Sequence, residues 1–199
     1  MGCCCSYFVG KNGGETKESE LVAQGSGGKA LFVSRRMSAP TVSISDDGIS
    51  GYGLAVIGPT SIEQDSAYWE WQIELPAKQQ CDTIMFGVCT KKDKHFYAEI
   101  EDKENNSEPW MKKIEIQNGD VVGVATQQSD LPMVQFTHNG EIMHDKAINR
   151  FRGTIYASVY LPFPAEKNLK VRALLEEKEF KHMSPAAKFG PIIIARSIV

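Results

Sequence analysis

The sequence lacks any long apolar run and any concentration of basic residues. Its 199 residues carry 22 Lys and Arg against 25 Asp and Glu, a formal net charge of −3. No basic run or face is present, so the composition gives no reason to expect nucleic-acid binding. No apolar stretch approaches the ~20 residues that a membrane-spanning helix needs. The start has no basic segment followed by an apolar stretch, so we expect no secretory signal.

Groupings of residues that could carry chemistry are also scarce. Only Cys81 and Cys89 lie outside an amino-terminal cysteine cluster, which fits a reducing compartment and argues against a disulfide framework. Both are expected to be small buried hydrophobes rather than nucleophiles. His138 and His144 flank one predicted hairpin, but two ligands do not make a zinc site. The glycine-rich stretch 48–58 lacks the Lys-Ser/Thr pair of a phosphate loop. We therefore expect no enzyme, no cofactor and no metal.

The amino-terminal six residues carry the most specific local signal. An initial Met, then Gly2 and Ser6, match the pattern for N-myristoylation of Gly2. One myristoyl chain gives only marginal, reversible membrane binding, so stable anchoring needs a second signal. The nearby lysines are offset by glutamates, so we expect that signal to be S-palmitoylation of the adjacent thiols. These predicted palmitoylation sites are Cys3, Cys4 and Cys5.

A metal cluster at those cysteines is disfavoured, because adjacent side chains of an extended segment point in opposite directions. The pattern predicts a peripheral, lipid-anchored protein on the cytosolic face of a membrane, either the plasma membrane or the cell periphery. Three segments follow: residues 1–9 as the lipidated anchor, 10–29 as a flexible linker and 30–199 as the folded domain. A linker of this Gly-, Ser- and charge-rich composition spans roughly 25 Å. Alternatively, part of it, around residues 21–23, lies on the domain surface.

Short strands separated by turn residues dominate the folded domain. Residues 41–45 alternate, Asp46-Asp47-Gly48 predicts a turn, and residues 51–57 are the expected returning strand. Residues 68–75 alternate most clearly, with Trp69 and Trp71 on the apolar face and Tyr68 and Glu70 on the polar face, which predicts a half-buried antiparallel strand. Further strands are expected at 83–90, 120–125, 133–138, 141–144, 154–161 and 169–174.

The dipeptide Asn139-Gly140 lies between two of these segments and is a strong hairpin signal, because both turn residues must tolerate positive φ. Strong helix signals are scarce, and residues 174–182 fit either a helical turn or a strand end. Many short strands with regularly spaced turns indicate an all-β sandwich with few helices.

Five fragments of the strand pattern occur in order and at sensible spacing over residues 40 to about 175. They are Tyr68-Trp69-Glu70, Phe86-Gly87-Val88, the Gly119–Val124 segment, the Val134–Gly140 hairpin and the Tyr156–Leu161 strand. Together they resemble the signature segments of the SPRY domain family. The resemblance implies a bent, antiparallel, two-sheet β-sandwich of the concanavalin-like type. It also implies a non-enzymatic module that binds a protein or peptide through loops at one end of the strands.

Two departures from the family pattern lie near such loops. The usual Cys-x-x-Asp segment is replaced by residues 125–130, and the stretch 91–113 is unusually polar and long. Peptide ligands of other members are therefore not carried over. Candidate binding loops are 46–52, 58–64, 91–110 and 127–132. The candidate partner-binding residues are Asp46, Asp47, Tyr52, Gln64, Trp110, Gln127, Gln128 and Asp130.

Trp110 has two open interpretations, since an aromatic on a polar insertion can anchor a partner or fold back onto the core. The leading functional hypothesis is a monomeric, membrane-anchored docking module that recruits or braces a protein, with membrane-skeleton organisation or cell shape as one setting. The alternative is substrate recognition for a ubiquitin ligase, although neither a RING domain nor a cullin-adaptor box is visible in the sequence.

Overall fold

The structure is a computed structural model that describes residues 32–76, 79–81, 83–90, 110–163, 165 and 168–193. The predictions for Gly2, for Cys3, Cys4 and Cys5 and for the linker fall outside these residues.

Sixteen short strands form the described fold, with two 3-10 helices at His144–Lys146 and Glu177–Glu179. The strands are β1 (Phe32–Val33), β2 (Val42–Ser45), β3 (Gly48–Gly51), β4 (Gly53–Gly58), β5 (Ser66–Glu74), β6 (Gln80–Cys81), β7 (Met85–Thr90), β8 (Trp110–Lys113), β9 (Ile116–Gln117), β10 (Val121–Gln127), β11 (Met133–His138), β12 (Glu141–Ile142), β13 (Ile148–Asn149), β14 (Ile155–Leu161), β15 (Lys170–Leu174) and β16 (Gly190–Pro191).

Two antiparallel sheets pack face to face. The smaller sheet has the order β1-β4-β14-β7-β8. The larger sheet has the order β12-β11-β10-β5-β15-β3-β2, with β13 paired to β11 and β16 paired in parallel to β5. A further two-stranded sheet joins β6 to β9. The predicted all-β sandwich is therefore confirmed. Within the described part of the chain, no helix is long and apolar enough to cross a membrane.

The core between the sheets is built from the inward faces of the long strands. Trp69 and Trp71 of β5 are fully buried, and they pack in one cluster with Phe86 of β7 and Phe136 of β11. These two tryptophans lie on the apolar face that the sequence alternation predicted. Pairing of β5 with β10 on one side and β15 on the other makes it the central strand of the larger sheet.

The Asn139-Gly140 turn is confirmed in its backbone conformation. Asn139 has φ +50° and Gly140 has φ +86°, as a two-residue hairpin turn requires. The Asn139 side chain also accepts a 2.9 Å hydrogen bond from the backbone N–H of Val121. The undecided segment that follows Leu174 contains a short 3-10 helix, Glu177–Glu179, whose start is closed by a capping box from Glu176.

One strand boundary differs from the sequence prediction. The strand that returns after the Asp46-Asp47 turn is β3, Gly48–Gly51, and the chain then leaves it for β4 in the other sheet. Gly51 and Gly53 have φ +91° and +100°, conformations that side chains disfavour, so the backbone can bend sharply at Tyr52. The expected single strand over residues 51–57 was therefore wrong at its start, because these glycines mark a crossing between sheets.

A second difference concerns the outer face of β5. Tyr68 and Glu70, expected on a solvated face, are both fully buried. Residues 175–189, which we name the strap, cross this face between β15 and β16. The ring of Phe180 in the strap meets the ring of Tyr68 edge-on, with centroids 5.1 Å apart. β5 is therefore covered on both faces over this stretch.

Candidate functional site

One rim of the sandwich lies where β4 ends at Gly58. Loop 59–65 leads from there to β5 in the other sheet. It is hydrogen-bonded to loop 128–132, which joins β10 to β11, and to the segment 191–193 after the start of β16. We name these three segments the entry rim, because the first described strand, β1, pairs with the end of β4 here.

The opposite rim lies where β4 begins. Tyr52 immediately precedes β4, and Gly53 pairs with Leu161 at the end of β14. Phe163 follows two residues later, which brings it to Tyr52. We name the Tyr52–Phe163 pair the aromatic rim. Because β4 has 6 residues, the two rims are about 20 Å apart.

The aromatic rim presents a large apolar side chain to solvent. The rings of Tyr52 and Phe163 meet edge-on, with centroids 5.0 Å apart and planes at 63°. Phe163 is nevertheless 65% exposed. Thr41 holds the backbone beneath, since its hydroxyl donates a 2.6 Å hydrogen bond to the carbonyl oxygen of Tyr52. An exposed aromatic on a fixed base can anchor a partner protein.

Phe163 was absent from the sequence-predicted residues, whereas Tyr52 was among them. Phe163 lies in the run Pro162-Phe163-Pro164, immediately after the end of β14. Because proline cannot donate a hydrogen bond to a strand ladder, two prolines that flank an aromatic residue indicate that the strand has ended. That local signal could have identified it as a loop aromatic.

Asp46 and Asp47 are exposed on the turn between β2 and β3. The Asp47 carboxylate lies 3.5 Å from the ammonium of Lys170, a surface ion pair. These aspartates lie at the far end of β3 from Tyr52, about 13 Å along the strand. The two aspartates therefore do not form one cluster with the Tyr52–Phe163 pair.

Gln64 and Gln128 have side chains directed into the protein framework of the entry rim. The Gln64 amide donates to the carbonyl oxygens of Ser66 and Pro191, both at 2.9 Å, and its oxygen accepts a 2.5 Å hydrogen bond from the N–H of Ile193. The Gln128 amide donates at 2.8 and 2.7 Å to the carbonyl oxygens of Ile62 and Gln64. Both glutamines thus fix loop conformation with their side-chain polar groups.

The remaining predicted residues of this rim lie beside that framework. Gln127 accepts a hydrogen bond from the Lys188 ammonium of the strap, and Asp130 is exposed with φ +55°. The N–H of Ser129 donates a 2.6 Å hydrogen bond to the Asp65 carboxylate. Hydrogen bonds from Ser129 hold the pKa of Asp65 below its usual range, so this carboxylate is ionised at neutral pH.

Trp110 is the first residue of β8, near the carboxyl-terminal end of the polar stretch 91–113. Its ring lies 5.9 Å from that of Phe151, tilted by 53°, and it packs against the main core cluster. Of the two interpretations of Trp110, this geometry favours the one in which it folds back onto the core.

Glu70 was predicted to lie on the polar face of its strand, but the structure buries it. It is fully buried, and its carboxylate accepts hydrogen bonds from the Tyr68 hydroxyl at 2.9 Å and from the N–H groups of Lys181 and His182 at 2.6 and 3.0 Å. The strap is thereby attached to the middle of β5. Gly123 of β10 leaves the space that the Tyr68 hydroxyl occupies, since a Cβ there would lie 2.3 Å from it.

Asp120 and His138 form a second polar group, in a cleft of about 350 Å³ also lined by Glu115, Gln117 and Lys146. The Asp120 carboxylate lies 2.8 Å from the His138 ring nitrogen Nε2. Burial would raise the pKa of Asp120, but hydrogen bonds from Asn139, the Gln117 N–H and His138 outweigh burial and lower it. The pair ties the β9–β10 turn to the end of β11.

The two cysteines of the described chain are both buried. Neither Cys81 nor Cys89 forms a disulfide among the described residues, and the Cys89 sulfur accepts a 2.9 Å hydrogen bond from the Ser158 hydroxyl. Among the described residues, no group of three or more His, Cys, Asp or Glu side chains could hold a metal ion.

Comparison with known proteins finds similarity among solved structures. No family model matches the sequence, and no curated protein matches it. The chain is similar to a crystal structure of a human SPRY domain, with 13% sequence identity and a TM-score of 0.45. The match covers 67% of this chain and 94% of that chain. No functional residue is carried over from this likeness.

Proposed function

We propose that this chain is a non-enzymatic protein-binding module that acyl chains tether to the cytosolic face of a membrane. The observation that carries the binding function is the aromatic rim, where Phe163 is 65% exposed and rests on Tyr52. A few residues, often aromatic, supply most of the binding energy at many protein interfaces. The resemblance of five sequence segments to the SPRY pattern supports the same class of function.

The tether is proposed from sequence alone. Myristoyl at Gly2 and palmitoyl at one or more of Cys3, Cys4 and Cys5 supply the two signals that stable anchoring needs. The module would then act as a docking surface at the plasma membrane or cell periphery. Bracing of a membrane skeleton is one such role, and it predicts altered cell shape after deletion of the protein.

The binding function is tested by quantitative affinity capture from membranes with three forms of the full chain. Wild type is compared with Phe163→Ala and with Met183→Ala, a matched control because Met183 is 89% exposed on the strap, away from the aromatic rim. We expect Phe163→Ala to lose at least about tenfold of the bound partner, as for a binding hot spot, while Met183→Ala retains it. Equal capture by all three forms would rule out the aromatic rim as the binding site.

The tether has its own test. Mass spectrometry of the intact amino terminus from eukaryotic cells should show a myristoylated Gly2 and acylated cysteines, and Gly2→Ala should move the protein to the soluble fraction. An unmodified Gly2 would overturn the tether but not the binding module. Ligase subunits among the captured partners would instead favour ubiquitin-ligase substrate recognition.

A further inference from the structure

The entry rim carries two of the exposed large apolar side chains of the described structure. Leu131, in loop 128–132, is 65% exposed, and Ile193, after β16, is 64% exposed. Solvent-exposed aliphatic side chains at loop tips are the groups that a bilayer interface can bury. Single exposed hydrophobes are ordinary, so the argument depends on where these two lie and on how they are held.

Hydrogen bonds hold both tips in one framework. The N–H of Ile193 donates to the Gln64 side chain at 2.5 Å. Gln128, three residues before Leu131, donates to the carbonyl oxygen of the same Gln64 at 2.7 Å. The two segments are therefore joined through Gln64, and their apolar tips need little further ordering when they bind. Reduced ordering on binding favours affinity.

The amino-terminal segment enters the fold at this same rim. Phe32, the first described residue, pairs with Gly58, and loop 59–65 with Gln64 follows Gly58 directly. The proposed tether would therefore join the described fold at the entry rim. The aromatic rim lies at the other end of β4, about 20 Å away.

The charges around the tips are balanced. Among the described residues, the three segments of the entry rim carry only anions, and three exposed cations lie on the flanking segments. Arg150 is placed beside the loop by a 2.6 Å hydrogen bond from its N–H to the carbonyl oxygen of Pro132. The cations are Arg150, Arg152 and Lys188, and the anions are Glu63, Asp65 and Asp130. Attraction to anionic lipid is therefore not the driving force, and burial of apolar surface is.

We propose that the entry rim rests on the lipid bilayer, inserting Leu131 and Ile193 at the interface while the aromatic rim faces away from it. This inference rests on the proposed tether, and it adds an orientation. The partner-binding Phe163 is then presented to the cytosol, at the end of the sandwich farthest from the membrane. The occupant of the entry rim is a lipid interface, with no requirement for anionic headgroups.

The test separates orientation from acylation. The full chain, with the cysteines of its amino terminus replaced by Ser and a histidine tag before Met1, is held on phosphatidylcholine vesicles by a nickel-chelating lipid. An environment-sensitive fluorophore is attached at Leu131→Cys or at Phe163→Cys, since Cys81 and Cys89 are buried. A lipid-borne nitroxide should quench the label at position 131 roughly threefold more than at 163, as expected for insertion into the interface.

Other outcomes overturn the proposal. Equal quenching at both positions, or stronger quenching at 163, would show that the entry rim does not rest on lipid, whether or not the natural chain is acylated. Quenching at position 131 that rises steeply with the phosphatidylserine content of the vesicles would mean that charge, not apolar insertion, drives contact. Concentration-dependent shielding of position 131 without vesicles would assign the rim to a second copy of the chain.

A second measurement uses the acylated chain. Leu131→Asp combined with Ile193→Asp should weaken its affinity for vesicles by roughly tenfold, because two apolar contacts are lost. Met183→Asp, an exposed residue outside the rim, is the matched control and should leave affinity unchanged. Circular dichroism confirms that each variant is folded. Unchanged vesicle affinity in the double variant would contradict the proposal, while loss of binding in Gly2→Ala alone reports on the tether.

Discussion

The backbone N–H of Lys181 donates a 2.6 Å hydrogen bond to the carboxylate of Glu70, a residue that is fully buried on the outer face of β5. The neighbouring N–H of His182 and the Tyr68 hydroxyl donate to the same carboxylate. A buried carboxylate is costly unless it is fully hydrogen-bonded. Here the hydrogen bonds that satisfy the carboxylate are also those that attach the strap to the sheet.

Replacement of Glu70 should therefore release the strap. We expect Glu70→Ala to lower the free energy of unfolding by about 3 kcal/mol, because buried donors lose their acceptor. Glu70→Gln should lower the free energy of unfolding by a smaller amount than Glu70→Ala, since its amide oxygen can accept a hydrogen bond but its amide nitrogen cannot. Urea unfolding gives the stability, and hydrogen exchange at Lys181 and His182 reports the strap directly.

Glu74→Ala is the matched control for that experiment. Glu74 lies on the same strand and the same face as Glu70 but is exposed. Its replacement should change stability by less than about 0.5 kcal/mol and leave exchange in the strap slow. Equal effects of the Glu70 and Glu74 substitutions would show that the buried carboxylate does not hold the strap.

Gly123 provides a steric test of the same region. Its ideal Cβ would lie 2.3 Å from the Tyr68 hydroxyl and 2.3 Å from Thr137 Oγ1, so Gly123→Ala forces two buried groups apart. We expect a loss of about 1–3 kcal/mol, the usual cost of overpacking. Gly190→Ala is the control, because nothing lies within 4 Å of its Cβ position and its φ is not positive. Thermal unfolding that shows equal stability for both variants would contradict this account of Gly123.

The local pattern predicted those features that depend on residues close in sequence. The inward tryptophans follow from a period of two, and the Asn139-Gly140 turn follows from the backbone conformations its residues tolerate. Burial of Glu70 could not be predicted in this way. Its partners Lys181 and His182 lie 111 and 112 residues away, and an alternating strand looks half-buried whether or not a distant segment covers its polar face.

The candidate binding residues illustrate the same limit. Tyr52 was identified from its loop, but its contact with Phe163 depends on pairing of Gly53 with Leu161, which brings two distant loops together. Gln64 and Gln128 were identified as surface polar residues, and the structure shows their amides bonded to backbone groups. Sequence composition locates a polar loop, but it does not distinguish a side chain that stabilises the loop from one that is free to meet a partner.

The Asp120–His138 cleft predicts a defined response to acid. The folded protein holds the pKa of Asp120 below its ordinary value of 3.8, so ionised Asp120 stabilises the fold above that value and the contribution is lost as pH falls through the lower folded pKa. Asp120→Asn should lower stability at neutral pH by about 1 kcal/mol. The difference from wild type should shrink as pH falls below about 4.

Asp130→Asn is the control for the acid experiment. Asp130 is exposed, and Asn tolerates its positive φ. Urea midpoints measured from neutral pH to strong acid should therefore run parallel for wild type and Asp130→Asn, while they converge for wild type and Asp120→Asn. A constant offset for Asp120→Asn across the whole range would contradict the stabilising role of the ionised carboxylate.

Tyr68 predicts the complementary response to alkali. Burial of the phenol raises the pKa of Tyr68, and the adjacent Glu70 carboxylate raises it further. A raised folded pKa means that the stability from the neutral phenol is fully present below the unfolded pKa of about 10 and is lost as pH rises through the folded value.

In an ultraviolet titration of the 6 tyrosines, we expect Tyr68 to ionise only together with unfolding. Tyr68→Phe should remove that late step from the titration, although it also costs about 1 kcal/mol at neutral pH through the lost hydrogen bond to Glu70. If Tyr68 ionised near pH 10 while the protein stayed folded, the strap would not shield β5 from solvent.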